Sequence, residues 1–190
     1  GIAQINPTIS DIKQNSKRII EWSLKAHQVG ITMVVFPELA LCGYIPKDLI
    51  NHPFFQEECI EGIDAIQTFS KTVPNLAIIF GGIDYRDNRA YNAAFVIQNG
   101  KQIGIQHKKC LPNYDVFDER RYFQSGEKQQ VMMINEQRVG VTICEDAWGM
   151  THQSFDPLDY YTQQPVDLMI NISASPFETS KESLRGQIFT

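Results

Sequence analysis

The sequence predicts an α/β fold built on mixed sheets. Two observations carry that reading. Segments with helical apolar spacing alternate with short, almost wholly apolar runs of strand length. Strands that apolar are usually covered on both faces, as in sheets flanked by helices. Hairpin signals between some of them, however, call for antiparallel neighbours. A mixed sheet carrying helices satisfies both demands. The chain has 190 residues, 43% apolar and 11% aromatic. That is globular composition and the length of one domain.

The elements follow in order. Residues 12–29 carry Ile12, Ile19, Ile20, Trp22, Leu24 and Ala26 at helical spacing and end at Gly30. Met33-Val-Val-Phe36, closed by Pro37, reads as a buried strand. Residues 54–72 give a second helix through Phe55, Ile60, Ile63, Ile66 and Phe69. Leu76-Ala-Ile-Ile-Phe80 is another buried strand, with Gly81-Gly82 read as the turn that stops it. Ala93–Gln98 and Lys101–Gln106 flank Asn99-Gly100, a hairpin signal. Val131–Ile134 and Val139–Ile143 form a second pair around residues 135–138, and Asp167–Asn171 is the last buried strand. No repeat or Gly/Ser-rich linker divides the chain. Both ends read as cut. Ile2-Ala3 opens an apolar segment at once, with no signal-peptide pattern, and residues 181–190 read as a helix just starting.

Composition excludes several function classes. A net charge of −5 argues against a nucleic-acid surface. No apolar run approaches the ~20 residues that span a bilayer. Cys42, Cys59, Cys110 and Cys144 form no CxxC pair, and with His27, His52, His107 and His152 they show no metal-ligand spacing. Reduced thiols and a cytoplasmic setting are expected. Gly81-Gly82 lacks the spacing of either phosphate-binding glycine motif.

Three places could hold chemistry, because each follows a buried strand. Glu38 comes directly after Phe36-Pro37. Ligand sites in α/β sheets favour such strand ends, and a desolvated carboxylate there can serve as a general base. The plainer reading is a carboxylate capping the next segment. Cys144 ends the run Val139-Gly-Val-Thr-Ile143 and leads into Glu145 and Asp146. It is either a nucleophile at a turn or a small buried hydrophobe. His107 to Phe123 is dense in charges and aromatics. It is either a solvated loop or a source of a cation that stabilises an oxyanion or a thiolate.

Together these segments resemble the nitrilase (carbon–nitrogen hydrolase) superfamily. The matching pieces are Phe36-Pro-Glu38, Lys108-Lys-Cys-Leu-Pro112 and Ile143-Cys-Glu-Asp-Ala-Trp148, with the flanks Ala3-Gln-Ile-Asn-Pro7 and Asn171-Ile-Ser-Ala-Ser-Pro176. The family's lysine precedes the Leu by three positions, which selects Lys108 over Lys109. Leu111-Pro-Asn-Tyr114, Phe117–Phe123 and Ser173–Phe177 narrow the resemblance to the glutaminase domain of glutamine-dependent NAD synthetases.

The resemblance implies a four-layer α-β-β-α sandwich. It implies a triad of Glu38 as general base, Lys108 as oxyanion stabiliser and Cys144 as nucleophile, acting through a γ-glutamyl thioester. It carries glutamine contacts onto Tyr114, Phe117, Glu119, Glu145, Ser175 and Lys181, with Glu119 also able to orient Lys108. No metal or cofactor is expected for amide hydrolysis. ATP, magnesium and nicotinic acid adenine dinucleotide are expected in a fused synthetase domain beyond residue 190, so residues 1–190 read as an incomplete glutaminase domain. A homo-oligomer is expected, with neither nucleic acid nor membrane as partner. The alternative is a stand-alone amidase acting on a small ω-amide. A dead binding module would lack a triad member, and all three are present.

Overall fold

The computed structural model describes residues 1–148, 156–176 and 186. Helix α1 spans Ile12–Gln28 and begins at Asp11, whose carboxylate accepts the Gln14 N–H at 3.2 Å. That satisfies one of the donors a helix start leaves free. It ends where Gly30 adopts φ +78°. Ile12, Ile19 and Ala26 are buried along one stripe. Trp22 and Leu24, counted above among the apolar positions, are instead 44% and 41% exposed. Lys25 lies over the Trp22 ring, 4.5 Å from its centroid. Helix α2 spans Pro53–Ser70 with Pro at its first position. It buries Phe55, Cys59 and Ile66 and leaves Ile60 exposed.

The strands form two sheets. The first has the order β1 (Met33–Val35), β2 (Ala77–Arg86), β3 (Arg89–Gln98), β4 (Lys101–His107). Strands β1 and β2 run parallel, and the other neighbours are antiparallel. The second has the order β5 (Val131–Ile134), β6 (Gln137–Ile143), β7 (Leu168–Ile172), with β5 antiparallel and β7 parallel to β6. The mixed character expected from the sequence is present in both.

Each hairpin turns on two residues with positive φ: Asp87-Asn88, Asn99-Gly100 and Asn135-Glu136. Such turns match the twist of the strands they join. The third is shorter than the four residues read from the sequence, because Gln137 and Arg138 pair with Ile134 and Met133.

The Gly81-Gly82 turn is corrected. Strand β2 continues through both glycines to Arg86 and pairs along its length with β3. A Cβ on Gly81 would lie 2.2 Å from the Leu39 nitrogen and 2.6 Å from the Glu38 Cα. The glycine is there because another backbone crosses the strand.

Two apolar layers result. Ile78, Phe80, Phe95 and Ile97 face the helices, meeting Ile19, Phe55 and Ile66. Ala77, Ile79, Ala94 and Val96 face the second sheet, meeting Met132, Val139, Val141, Ile143, Ile170 and Ile172. Each fully buried Val, Ile or Phe among them contributes about 1.5–3 kcal/mol. The short helix Leu158–Thr162 rests on β6 at Gly140, and its Tyr161 hydroxyl donates to the Val141 carbonyl at 3.0 Å. All four cysteines are free thiols. Among the described residues no helix is long and apolar enough to cross a membrane.

Candidate active site

Glu38, Lys108 and Cys144 each stand just past a strand end, after β1, β4 and β6, and all three are buried. The Glu38 segment leaves β1 through Pro37 and turns at Leu39, which has φ +48°. Its backbone is clamped to β2: Gly81 N–H donates to the Pro37 carbonyl at 3.1 Å, and Leu41 N–H to the Gly81 carbonyl at 3.0 Å. Lys108 is fixed by its backbone N–H donating to the Asn92 carbonyl at 2.8 Å. Cys144 opens a 3-10 turn, Cys144–Trp148, at φ +44°. Left-handed backbone at a non-glycine residue costs roughly 1–3 kcal/mol, and here it takes the thiol out of the line of β6.

The side chains converge. Lys108 Nζ donates to Glu38 Oε1 at 2.7 Å and to Glu119 Oε1 at 2.8 Å, with all three side chains shut from solvent. The Tyr44 hydroxyl also donates to Glu119 Oε1, at 2.6 Å. Asn92 Nδ2 donates to Glu38 Oε1 at 2.8 Å, and the Ala174 N–H to Glu38 Oε2 at 2.9 Å.

Electrostatics set the resting state. Burial opposes the charge on Lys108, but the Glu38 and Glu119 carboxylates outweigh it and raise the ammonium pKa well above its usual value. Burial pushes the Cys144 thiol up to about 12; the Glu38 charge adds to this, while Lys108 and a hydrogen bond with Ser173 work against it. Burial also lifts Glu119 to about 7, with Lys108 lowering it and Glu38 raising it. The site at neutral pH therefore holds a neutral thiol beside a committed cation. A thiol in that state needs a base at the moment of attack.

A second carboxylate locks the geometry. Asp146 Oδ1 accepts the N–H groups of Lys109 and Cys110 at 2.9 and 2.7 Å, and Oδ2 accepts the Ile143 N–H at 3.1 Å. One side chain thus ties the lysine segment to the cysteine turn. Lys109 extends its own side chain away, to Gln129 Oε1 at 3.4 Å, so Lys108 is the inward lysine of the pair.

The other sequence-derived residues fall in four places. Tyr114 donates to both oxygens of Glu145 at 3.0 Å, and Phe117 meets the rings of Tyr44 and Tyr114 edge-on at 6.2 and 5.5 Å. These make an aromatic and acidic wall beside the turn. Glu119 sits inside, on Lys108, rather than in that wall. Ser175 lies after β7 and donates its N–H to Ser173 Oγ at 3.1 Å. Lys181, like Phe177, lies outside the described residues. Sequence reasoning missed Tyr44, Asn92 and Ala174, whose relation to Glu38 and Glu119 depends on contacts distant in sequence. It read Asp146 only as part of a turn.

A groove of about 930 Å³ runs between the edges of β1 and β7, lined by Ile2, Met33, Phe36, Leu168 and Ile170 among others, and contains none of the three strand-end residues. Converging charges, not cavity size, mark the candidate site.

Comparison with known proteins gives the chain a family. Residues 1–181 match the family model described as carbon–nitrogen hydrolase. A glutamine-dependent NAD(+) synthetase of Thermotoga maritima is 42% identical over 186 residues, covering 97% of this chain and 31% of that protein. One from Synechocystis is 37% identical over 203 residues, covering 100% of this chain and 36% of that protein. The chain thus spans about a third of the length of these curated relatives. Among solved structures, a glutamine-dependent NAD+ synthetase from Acinetobacter baumannii in complex with ADP superimposes with a TM-score of 0.85 at 31% identity, over 98% of this chain and 34% of that one. An amidase from Nesterenkonia shares the fold, with a TM-score of 0.81 at 15% identity, over 95% of this chain and 66% of that one.

Proposed function

The chain belongs to the carbon–nitrogen hydrolase family, and from that premise we propose that it hydrolyses the side-chain amide of glutamine through Glu38, Lys108 and Cys144. The observation that carries the reading is the buried Lys108 ammonium, 2.7 Å from Glu38, whose charge acts on the Cys144 thiol. Glu38 takes the proton from Cys144 as sulfur attacks the amide carbon. Lys108, with the N–H of the residue after the cysteine, stabilises the oxyanion of the tetrahedral intermediate. Glu38 then passes its proton to the departing ammonia, leaving a γ-glutamyl thioester. A water deprotonated by Glu38 attacks the thioester and releases glutamate, and Glu38 returns the proton to the departing Cys144 thiolate. Glu119 holds the Lys108 ammonium as a second carboxylate partner.

Tyr114, Phe117, Glu145 and Ser175 are the proposed substrate contacts in the described residues, with Lys181 added by resemblance. A polar clamp on the α-amino and α-carboxylate groups discriminates because each buried group left unpaired costs about 1–3 kcal/mol. The ammonia is proposed to feed ATP-dependent amidation of nicotinic acid adenine dinucleotide in a synthetase domain outside these 190 residues. ATP and magnesium belong to that step, and this chain's residues are assigned to neither. A homo-oligomer is part of the same proposal.

The test is glutamate and ammonia release from glutamine by the complete gene product and by Cys144→Ala. Each is assayed with and without ATP and nicotinic acid adenine dinucleotide. Release that is lost in Cys144→Ala and rises with the synthetase substrates is the expected result. Turnover of another amide but not of glutamine would overturn the assignment in favour of a stand-alone amidase.

A further inference from the structure

Asn92 lies in the middle of β3, fully buried, opposite Ile83 of β2. Its carbonyl holds the Lys108 N–H at 2.8 Å, and its Nδ2 donates to Glu38 Oε1 at 2.8 Å. One residue thereby bridges two members of the triad, through backbone on one side and side chain on the other. Its Oδ1 is buried and finds no hydrogen-bond partner among the described residues. As part of the fold, that half of the amide is a cost, since a buried acceptor without a partner loses its hydration uncompensated.

A carboxylate offers about four lone-pair positions, two on each oxygen. On Glu38, Oε1 receives both Lys108 Nζ and Asn92 Nδ2, so both of its positions are taken. Oε2 receives the Ala174 N–H, which leaves one. We infer that Asn92 is a positioning residue that, together with Lys108, saturates Glu38 Oε1 and leaves Oε2 as the oxygen that takes the proton of Cys144. The donated N–H also fixes the rotation of the carboxylate about its last bond. Without it, only Lys108 and one backbone N–H hold the base, and Oε1 competes with Oε2 for the proton. The inference rests on the triad reading above.

The experiment uses Asn92→Leu and Asn92→Asp in the complete gene product, beside Glu38→Gln and Cys144→Ala. Glutamine hydrolysis is followed against pH, with alkylation of Cys144 by iodoacetamide and thermal unfolding as parallel readouts. Asn92→Leu keeps the volume and removes the donor at every pH. Its kcat is expected to fall about 10–100-fold, the scale of a misplaced base, with KM for glutamine within about twofold and an unfolding midpoint close to the parent's. Cys144 alkylation slows with kcat. Asn92→Asp can donate only while the introduced carboxyl is protonated, so its activity maximum moves to lower pH. A purely structural role would not produce that shift.

If Glu38→Gln and Cys144→Ala retain activity, the triad reading itself is wrong. If they are inactive while Asn92→Leu keeps the parental kcat, the Asn92 inference alone is overturned. It is equally overturned if both Asn92 variants lose activity in step with a lowered midpoint and an unmoved pH profile.

Discussion

Replacing Gly81 by alanine tests whether the fold and the site are joined where the structure joins them. The added Cβ would lie 2.2 Å from the Leu39 nitrogen and 2.6 Å from both the Glu38 carbonyl carbon and its Cα, whereas ordinary contact begins near 3.4 Å. The atoms that must move are backbone, and Leu39 beneath them is fully buried. A retreat of about 1 Å would stretch the Lys108–Glu38 bond from 2.7 Å to beyond hydrogen-bonding range. Overpacking of this kind costs about 1–3 kcal/mol, or a drop of roughly 2–12 °C in the unfolding midpoint of a domain this size. Misplacing Glu38, the proposed base, by that distance costs a further factor of about 100 in rate. Gly82→Ala is the control, because its Cβ would meet the Phe95 ring at 3.2 Å, a side chain that can give slightly. Thermal unfolding and glutamine-dependent ammonia release, measured on both variants below their midpoints, separate the two effects. Gly81→Ala with parental stability and activity would refute the close crossing. A loss shared equally by Gly82→Ala would refute its specificity.

Two further predictions concern the buried carboxylates. Glu119 sits at about 7 in the folded protein against a usual 4.5, so the folded state binds the extra proton between those values. The resulting stability is fully present below pH 4.5 and is lost as pH rises through 7. Glu119→Gln should flatten that fall when urea midpoints are measured from pH 4.5 to 8; parallel curves for parent and variant would contradict it. Asp146→Ala strands the N–H groups of Lys109, Cys110 and Ile143. It should destabilise by about 3 kcal/mol or more in urea unfolding; a loss below about 1 kcal/mol would mean that the tie carries little load.

What the sequence disclosed, and what it hid, follows from the range of the interactions involved. Helices α1 and α2 are legible because apolar spacing is a local property, and Asn99-Gly100 is legible because its turn chemistry is local too. The Asp87-Asn88 hairpin escaped because Gly81-Gly82 looked like the end of its strand. The true reason for Gly81 lies 43 positions earlier in the chain, in the passing backbone of Glu38, which no local pattern records. The strand-end carboxylate, lysine and cysteine stood out because their residue types are unusual beside buried strands. Asn92 and Tyr44 did not: one is a polar residue in a strand and the other an aromatic in a loop, until the fold carries them to Glu38 and Glu119. Asp146 was visible by position only, since its three backbone partners come from two separate segments.

The three charged side chains explain one another better together than singly. Lys108 faces two carboxylates, and Glu38 and Glu119 raise its pKa against the pull of burial. It therefore remains a cation throughout the proposed attack, as an oxyanion stabiliser must. The thiol, pushed to about 12, keeps its proton at rest, so its thiolate forms only with a base beside it. High thiol basicity also favours nucleophilicity once the proton leaves. If Glu38 accepts that proton, as proposed, its negative charge no longer pushes Glu119 upward, while Lys108 continues to pull it down. Glu119, poised at about 7, then shifts toward its ionised form and keeps Lys108 paired as Glu38 is neutralised. This is why Glu119 is better understood as the counter-charge to the lysine than as part of the wall formed by Tyr114 and Glu145.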